Sequence, residues 1–344
     1  MVTATSDVTV LVPLHRSAPF IGVVEANLSR LVPRCRVIIS DATGDDDTLD
    51  RLSGRWAGHP CVELAGPRPL GAGWVDHYND LLARCRTAWF MWLAHDDEID
   101  ETYVDRCLAA VRSTPGAIGA FGRIEPVDGT DPQSAPAPMC APGVVPGGVD
   151  SALAAVADWD LGTAFRSVFT ADVPPIAHTT DTDEWADLVW LFGRLLDGPM
   201  VHVTDVAYRK RYRPDSTHAG WRAELEGPLL APFLAAEILR VVEPTRRRAV
   251  LSALGEWSAG HAHRTIERSR AEVRDQERRG DALQTALGHE HVAVERLRSE
   301  ADGLRRSMDD LRRSSTWRVG SAIVGAVGLP GRLLRRFRRE RRRP

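Results

Sequence analysis

The run Trp89-Phe-Met-Trp-Leu-Ala-His-Asp-Asp-Glu98 constrains this chain more than any other. An aromatic and apolar stretch stops abruptly at three acids. Buried parallel strands read as near-continuous hydrophobic runs, and open α/β sheets bind their ligands outside the carboxyl ends of such strands. The run is therefore a buried strand delivering Asp96, Asp97 and Glu98 to a cleft. Adjacent carboxylates repel one another, and a divalent cation between them is the usual remedy. The plainer reading is an acidic start to a helix over 99–112, where Asp caps and Glu98 and Asp100 favour the first turn.

The surrounding pattern agrees with a sheet. Val8-Thr-Val-Leu-Val-Pro13 reads as a first strand ended by proline, and Arg36-Val-Ile-Ile-Ser40 as a second that runs straight into Asp41. Short strands are expected at 61–64, 88–94, 118–122 and 200–208. Helices are expected at 18–32, 46–56, 72–86, 99–112, 150–159, 183–197, 228–242 and 246–262. Strands alternating with helices predict a parallel or mixed sheet flanked by helices. Residues 126–149 are Pro-rich and aperiodic, and read as a flexible loop.

The chain has 344 residues, enough for one large domain or two ordinary ones. Its five cysteines are widely spaced with no Cys-x-x-Cys, which argues against a disulfide frame or a zinc ribbon. Nothing at the start reads as a secretory signal. The net charge of −3 conceals an asymmetry: thirteen Arg against three acids after residue 304 give +10 there, leaving −13 for the rest. An acidic body without a nucleic-acid motif gives no reason to expect nucleic acid as a partner.

From about Ile266 to Leu311 a heptad register fits. One set of positions is Ile266, Val273, Gly280, Leu287, Val294, Ala301 and Met308. The other is Ser269, Gln276, Leu283, Glu290, Leu297, Leu304 and Leu311. Its second half, 283–311, suits a homodimer; a single solvated helix of alternating charge is the other reading. Beyond it, apolar residues from Trp317 to Phe337 are interleaved with arginines up to Arg343. That pattern suits an anionic membrane surface contacted through 317–343. The eleven uncharged residues Val319 to Leu329 are too few to span a bilayer, which takes about twenty. The expected organisation is a catalytic domain over 1–222, a helical extension over 223–264, a coiled-coil helix over 265–313 and a basic tail over 314–344.

Two expected strand ends carry acids, Asp41 and the Asp96–Asp97 pair. No Gly-x-Gly-x-x-Gly follows the first strand and no Gly-x-x-x-x-Gly-Lys occurs, so neither a Rossmann dehydrogenase nor a P-loop is indicated. The residues resemble the inverting GT-A glycosyltransferases of family 2. Val8 to Pro13 looks like that family's opening strand. Val37-Ile-Ile-Ser-Asp-Ala-Thr-Gly-Asp-Asp-Asp-Thr48 is similar to its Val-Asp-Asp-Gly-Ser-x-Asp-x-Thr stretch. Trp89 to Glu98 resembles the strand leading to its D-x-D motif, in the subgroup ending His-Asp-Asp. The likeness covers about 7–125 and, more loosely, 160–220.

That resemblance implies a GT-A fold, a nucleotide-diphosphate sugar donor, a glycan or lipid-linked acceptor, and a divalent cation (Mn²⁺ or Mg²⁺). Asp41 would contact the nucleotide base, with Pro13 beside it. Asp96 would hold the metal on the donor diphosphate, supported by Asp97. His77 and Asn79 fall where the family places polar groups near the donor. Arg209, Arg213 and His218 lie in a segment like the one that closes over the diphosphate. Asp187 matches the catalytic base best, with Asp183 and Glu184 as near alternatives. Ala42 and Ala94 depart from the pattern, each standing where the family has an acid. The implied reaction is a single displacement with inversion, and the tail suggests cell-envelope polysaccharide synthesis on the cytoplasmic face of the plasma membrane. Two other classes compete: a non-catalytic GT-A-like scaffold acting through its coiled coil, and a sugar nucleotidyltransferase, which would usually show a Gly-rich, Lys-bearing loop where Pro13-Leu-His-Arg-Ser17 stands.

Overall fold

In a computed structural model the described residues are 7–42, 46–66, 73–127, 143–157, 163–179, 183–211, 230–314 and 318–319. The chain divides into two compact units, 1–266 and 267–344.

In the first unit, β1 (Val8–Leu14) leads through α1 (Ile21–Leu31) to β2 (Arg36–Asp41), and α2 (Thr48–Trp56) leads to β3 (Val62–Ala65). Next come α3 (Trp74–Arg84), β4 (Trp89–Trp92), β5 (Glu98–Ile99), α4 (Tyr103–Ser113) and β6 (Gly119–Pro126). The remainder is β7 (Gly143–Val145), α5 (Val149–Ala157), β8 (Val168–Thr170), α6 (Ala186–Asp197), β9 (Met200–Lys210), α7 (Leu230–Val241) and α8 (Arg247–Arg313). The nine strands described form one sheet in the order β3-β2-β1-β4-β8-β6-β9-β5, with β7 also on β9.

Half of that order is parallel. β1 sits between β2 and β4, and all seven of its residues are buried. A strand covered on both faces must be apolar throughout, which explains Val8-Thr-Val-Leu-Val-Pro-Leu14. Each fully buried Val or Leu contributes about 1.5–3 kcal/mol. Parallel pairing aims the carboxyl ends of β1, β2, β3 and β4 at one edge, and Leu14 stands beside Asp41 there.

The other half is mixed. β8 is antiparallel to both β4 and β6, while β6 and β9 run parallel. This three-residue strand is too short to show a period, so the sequence gives no sign of it. The expected helix start at 99 is corrected too: the helix begins at Tyr103. Glu98 and Ile99 pair instead with Arg209 and Tyr208, and the Asp100 carboxylate accepts a 2.8 Å hydrogen bond from the Ala207 N–H. Sheet pairing therefore overrides the acidic helix-start signal. Part of the expected 126–149 loop is also structured. Val145 pairs with Met200, and Gly147 lies so close to Gly198 that an added Cβ would fall 2.7 Å from its carbonyl carbon.

Gly122 shows how tightly this half is built. The register of β6 on β9 shifts between Gly122 and Arg123. An added Cβ at Gly122 would lie 2.6 Å from the Tyr103 ring and 2.7 Å from the Val206 carbonyl oxygen. Gly122→Ala is expected to destabilise the first unit by about 1–3 kcal/mol through overpacking, read as a lower denaturation midpoint. An unchanged midpoint would show that the bulge can yield.

The second unit's described residues are chiefly those of α8, one continuous helix where the sequence suggested two stretches. No helix among the described residues is long and apolar enough to cross a membrane. The tail, apart from Ser314, Arg318 and Val319, lies outside the described residues.

Candidate active site

The loop after β4 carries the central acids, and two elements, α1 and β9, fix it. Asn27 on α1 donates to the Asp97 carbonyl at 2.8 Å, and Arg30 donates to the Ile99 carbonyl at 3.2 Å. From the end of β9, the Arg211 N–H donates to Asp97 Oδ1 at 2.8 Å, and its guanidinium reaches the Asp96 carbonyl at 3.3 Å. The Tyr208 hydroxyl donates to Asp97 Oδ2 at 2.7 Å. Asp97 is thus buried with both oxygens engaged by protein donors, whereas Asp96 is only half-buried.

Arg166 is the cation of this cluster. It ends a 3-10 turn, Thr163–Arg166, and its Nε lies 4.0 Å from Asp97 Oδ2. Its guanidinium sits 5.2 Å from the centre of the Phe165 ring, and Phe165 stacks on Trp92 at 4.7 Å. Trp190 closes edge-on against both rings. This aromatic floor leaves the guanidinium little water. Burial opposes its charge, but Tyr208, Tyr78, Asp97 and Asp187 outweigh that and keep it protonated.

Asp187 lies in the first turn of α6, half-buried, its Oδ1 accepting from the Leu188 N–H at 2.9 Å. Burial raises its pKa above the ordinary carboxylate value, while Arg166 and Lys210 pull the other way. Burial, with Asp96 beside it, likewise raises Asp97 against the pull of Arg166. Tyr78 joins the two halves of the site. Burial pushes its pKa up to about 12, and Arg166, Asp97, Asp187 and Asp96 all act on it. Asp96 and Asp97 from the loop after β4 and Asp187 from α6 therefore all act on Tyr78.

The segment before α6 is clamped to α3. The Asn79 amide donates to the Ile176 carbonyl at 2.8 Å and accepts from its N–H at 2.7 Å. His178 lies 3.0 Å from Asp183 and 3.1 Å from Asp76. Hydrogen bonding to Asp183 is the strongest influence on its pKa, which is raised. Asp183 also accepts from the Thr179 N–H at 3.1 Å, and the Glu184 carbonyl accepts from the Thr179 hydroxyl at 2.9 Å. Asp183 is thus tied down by neighbours, whereas Asp187 faces the cluster.

Other sequence candidates fall at varied places. Asp41 is buried at the end of β2, one strand from the cluster, and Pro13 is buried opposite Ser40. His77 is buried on the core side of α3 with Val75 and Leu81. Arg209 is drawn to Asp100 at 2.7 Å and to Glu125 at 3.7 Å. Arg213 and His218 lie outside the described residues. Sequence reasoning missed Arg166, Tyr78, Tyr208, Arg211 and the Asp76–His178–Asp183 clamp. Tyr78 lies inside the Asp76-His-Tyr-Asn79 stretch that drew attention; Arg166 sits in an aperiodic turn and gave no signal.

No family model matches the chain, and no curated protein does. Among solved structures it is similar to S. aureus TarS 1-349 in complex with UDP-GlcNAc, at a TM-score of 0.52 and 14% identity, over 73% of this chain and 72% of that one. TarS 1-349 in complex with UDP gives 0.52 and 15%, over 72% and 70%. The fold is GT-A-like. Within that GT-A-like frame, the parallel half supplies Asp41 and the Asp96–Asp97 loop, and α6 supplies Asp187.

Proposed function

We propose that this chain is a metal-dependent inverting glycosyltransferase that moves a sugar from a nucleoside-diphosphate donor to a hydroxyl group. The observation that carries this reading is the placement of Asp41 and the Asp96–Asp97 loop at the strand-end edge where an open α/β sheet binds ligands, with Arg166 4.0 Å from Asp97 and Asp187 in the first turn of α6. The GT-A-like fold supports it, as does the binding of UDP-GlcNAc and UDP by TarS.

The donor set fits a divalent cation that arrives with its substrate. Among the described residues no three His, Cys, Asp or Glu side chains form a ready cage. Asp97 is buried with both oxygens on protein donors, and the half-buried Asp96 beside it would be the carboxylate to hold the ion. One or two carboxylates plus substrate phosphates is the ordinary way such an ion is held. When bound, it would neutralise charge on the departing diphosphate.

The chain's own residues do the rest. Asp187 takes the proton from the acceptor hydroxyl as its oxygen attacks the anomeric carbon. Burial raises the Asp187 pKa and makes it a stronger base than an ordinary carboxylate, while Arg166 opposes that rise. Asp97 does not touch the substrate: held by Tyr208, Arg211 and Arg166, it fixes the loop that presents Asp96. Lys210, the last residue of β9, is a second cation acting on Asp187. Asp41 and Pro13 would line the base pocket. A lipid-linked acceptor in envelope polysaccharide synthesis, with 317–343 on an anionic membrane, is the setting the sequence favours.

Calorimetry with UDP, dTDP and GDP, with and without Mn²⁺, on wild type and Asp96→Ala tests this reading. One nucleotide is expected to bind in a Mn²⁺-dependent manner, with at least a tenfold loss in the variant, in line with the 10–100-fold typical of weakened metal sites. A folded protein that binds none of them would leave the scaffold reading standing.

A further inference from the structure

The described part of the second unit displays an apolar stripe that no other described residue of that unit covers. Leu283, Leu287, Val294, Leu297, Leu304, Met308 and Leu311 are 45–68% exposed. With Ala301 and Glu290 they step along α8 by alternating four and three residues from 283 to 311. That alternation is the seam of a coiled coil, with Leu287, Val294, Ala301 and Met308 at a and Leu283, Glu290, Leu297, Leu304 and Leu311 at d. An apolar stripe of this length on a monomer marks an interaction surface.

We propose that residues 283–311 form a parallel, in-register, two-stranded coiled coil with the same segment of a second copy of this chain. The choice of occupant rests on charge and side-chain shape. Beside the seam, the e positions are His291, Arg298, Arg305 and Arg312, and the g positions are Ala286, Ala293, Glu300, Ser307 and Ser314. An antiparallel pair would set these basic e positions against one another. A parallel pair sets Arg305 against Glu300 of the other copy, and Arg298 and Arg312 against small neutral residues. The arginines are also balanced on their own helix, Arg298 by Glu295 at 3.0 Å, Arg305 by Asp302 at 3.4 Å and Arg312 by Asp309 at 3.9 Å. Leucine at four of five d positions, with Val294 at one a position and no isoleucine at a or d, matches neither the trimer nor the tetramer pattern. The seam runs for four heptads, about 43 Å at 1.5 Å per residue.

Glu290 is the flaw in the seam. At d it faces its own copy across the interface, so two carboxylates meet where leucines would pack. It weakens the pair while penalising registers that would bury it against apolar residues.

Sedimentation of the full chain at about 10 μM tests this. Wild type is expected at twice 37.9 kDa. Leu297→Asp combined with Leu304→Asp is expected at the monomer mass, with the thermal transition of the first unit unchanged because neither side chain is buried in the monomer. Glu290→Leu is expected to tighten the dimer by at least tenfold. Gly280→Cys, at the next a position, is expected to form an interchain disulfide under mild oxidation that wild type does not form. A monomeric wild type, a doubly substituted chain that stays dimeric, or a trimer mass would each overturn the proposal. So would a wild-type monomer whose stripe binds anionic vesicles.

Discussion

Asp187→Asn is expected to lower kcat by about 10²–10⁴-fold, the usual contribution of a positioned general base, while leaving donor affinity within twofold. Asparagine keeps the shape and still offers an oxygen to the Leu188 N–H, so α6 should start where it does now. Only the capacity to take a proton is lost. Single-turnover transfer and nucleotide calorimetry on the same preparation separate the two effects. The near alternatives give the contrast. Asp183 is bound by His178 and Thr179, so Asp183→Asn should loosen the segment and lower stability together with activity. Glu184→Gln should leave the rate almost unchanged. Full activity in Asp187→Asn, with loss in Asp183→Asn or Glu184→Gln alone, would move the base to that residue.

The second large effect is expected at Arg166. Removing one partner of a buried ion pair is costly because the other charge stays buried without compensation. Arg166→Met keeps most of the packing on Phe165 but leaves Asp97 with hydrogen bonds and no cation. We expect a loss of about 3 kcal/mol. For a unit this large that is a fall in Tm of about 6–12 °C. The pH dependence carries a definite sign. Asp97 already titrates above the ordinary aspartate value through burial, and loss of Arg166 raises it further. A raised folded pKa stabilises the fold at acid pH and is lost as pH rises through it. The stability deficit should therefore be small near pH 4 and widen toward neutrality. Catalysis moves in parallel: without Arg166 the Asp187 pKa rises, so the acid limb of the rate profile shifts to higher pH. A uniform loss at every pH would show that Arg166 acts through packing alone.

The parallel half of the sheet was legible because its signals are local. Val8–Leu14, Arg36–Asp41 and Trp89–Trp92 are apolar runs bounded by polar turns, and each announces itself within ten residues. The acids at their ends follow from the same runs, which is why Asp41, Asp96 and Asp97 could be named from sequence. The other half depends on contacts between distant residues. β8 is held by β4 and β6, its Phe169 pairing with Phe90, 79 residues earlier, and with Gly119, 50 residues earlier, and three residues carry no period. Glu98 and Ile99 look like a helix start until Arg209 and Tyr208 are brought alongside. Arg166 pairs with Asp97 across 69 residues, and an arginine in an aperiodic turn does not reveal whether its charge is solvated or buried. The heptads of α8 were legible because a repeat is itself a local signal.

The approach to α6 has one more consequence. Asp183 and Trp185 both hold left-handed backbone, at φ 59° and 65°. That region is open to Asp but unfavourable to a residue as large as Trp, and such positions cost about 1–3 kcal/mol each. The turn keeps this shape because Trp185 is buried, Asp183 is bound by His178, and the Asp183 carbonyl accepts from the Trp74 indole at 3.2 Å. Glycine at 185 would relieve the backbone, but it would also delete a buried indole, at a cost of about 3–5 kcal/mol that exceeds the strain removed. The same exchange would free the start of α6. The bent turn is thus the lesser of two costs, and heat resistance has to be gained elsewhere in the chain.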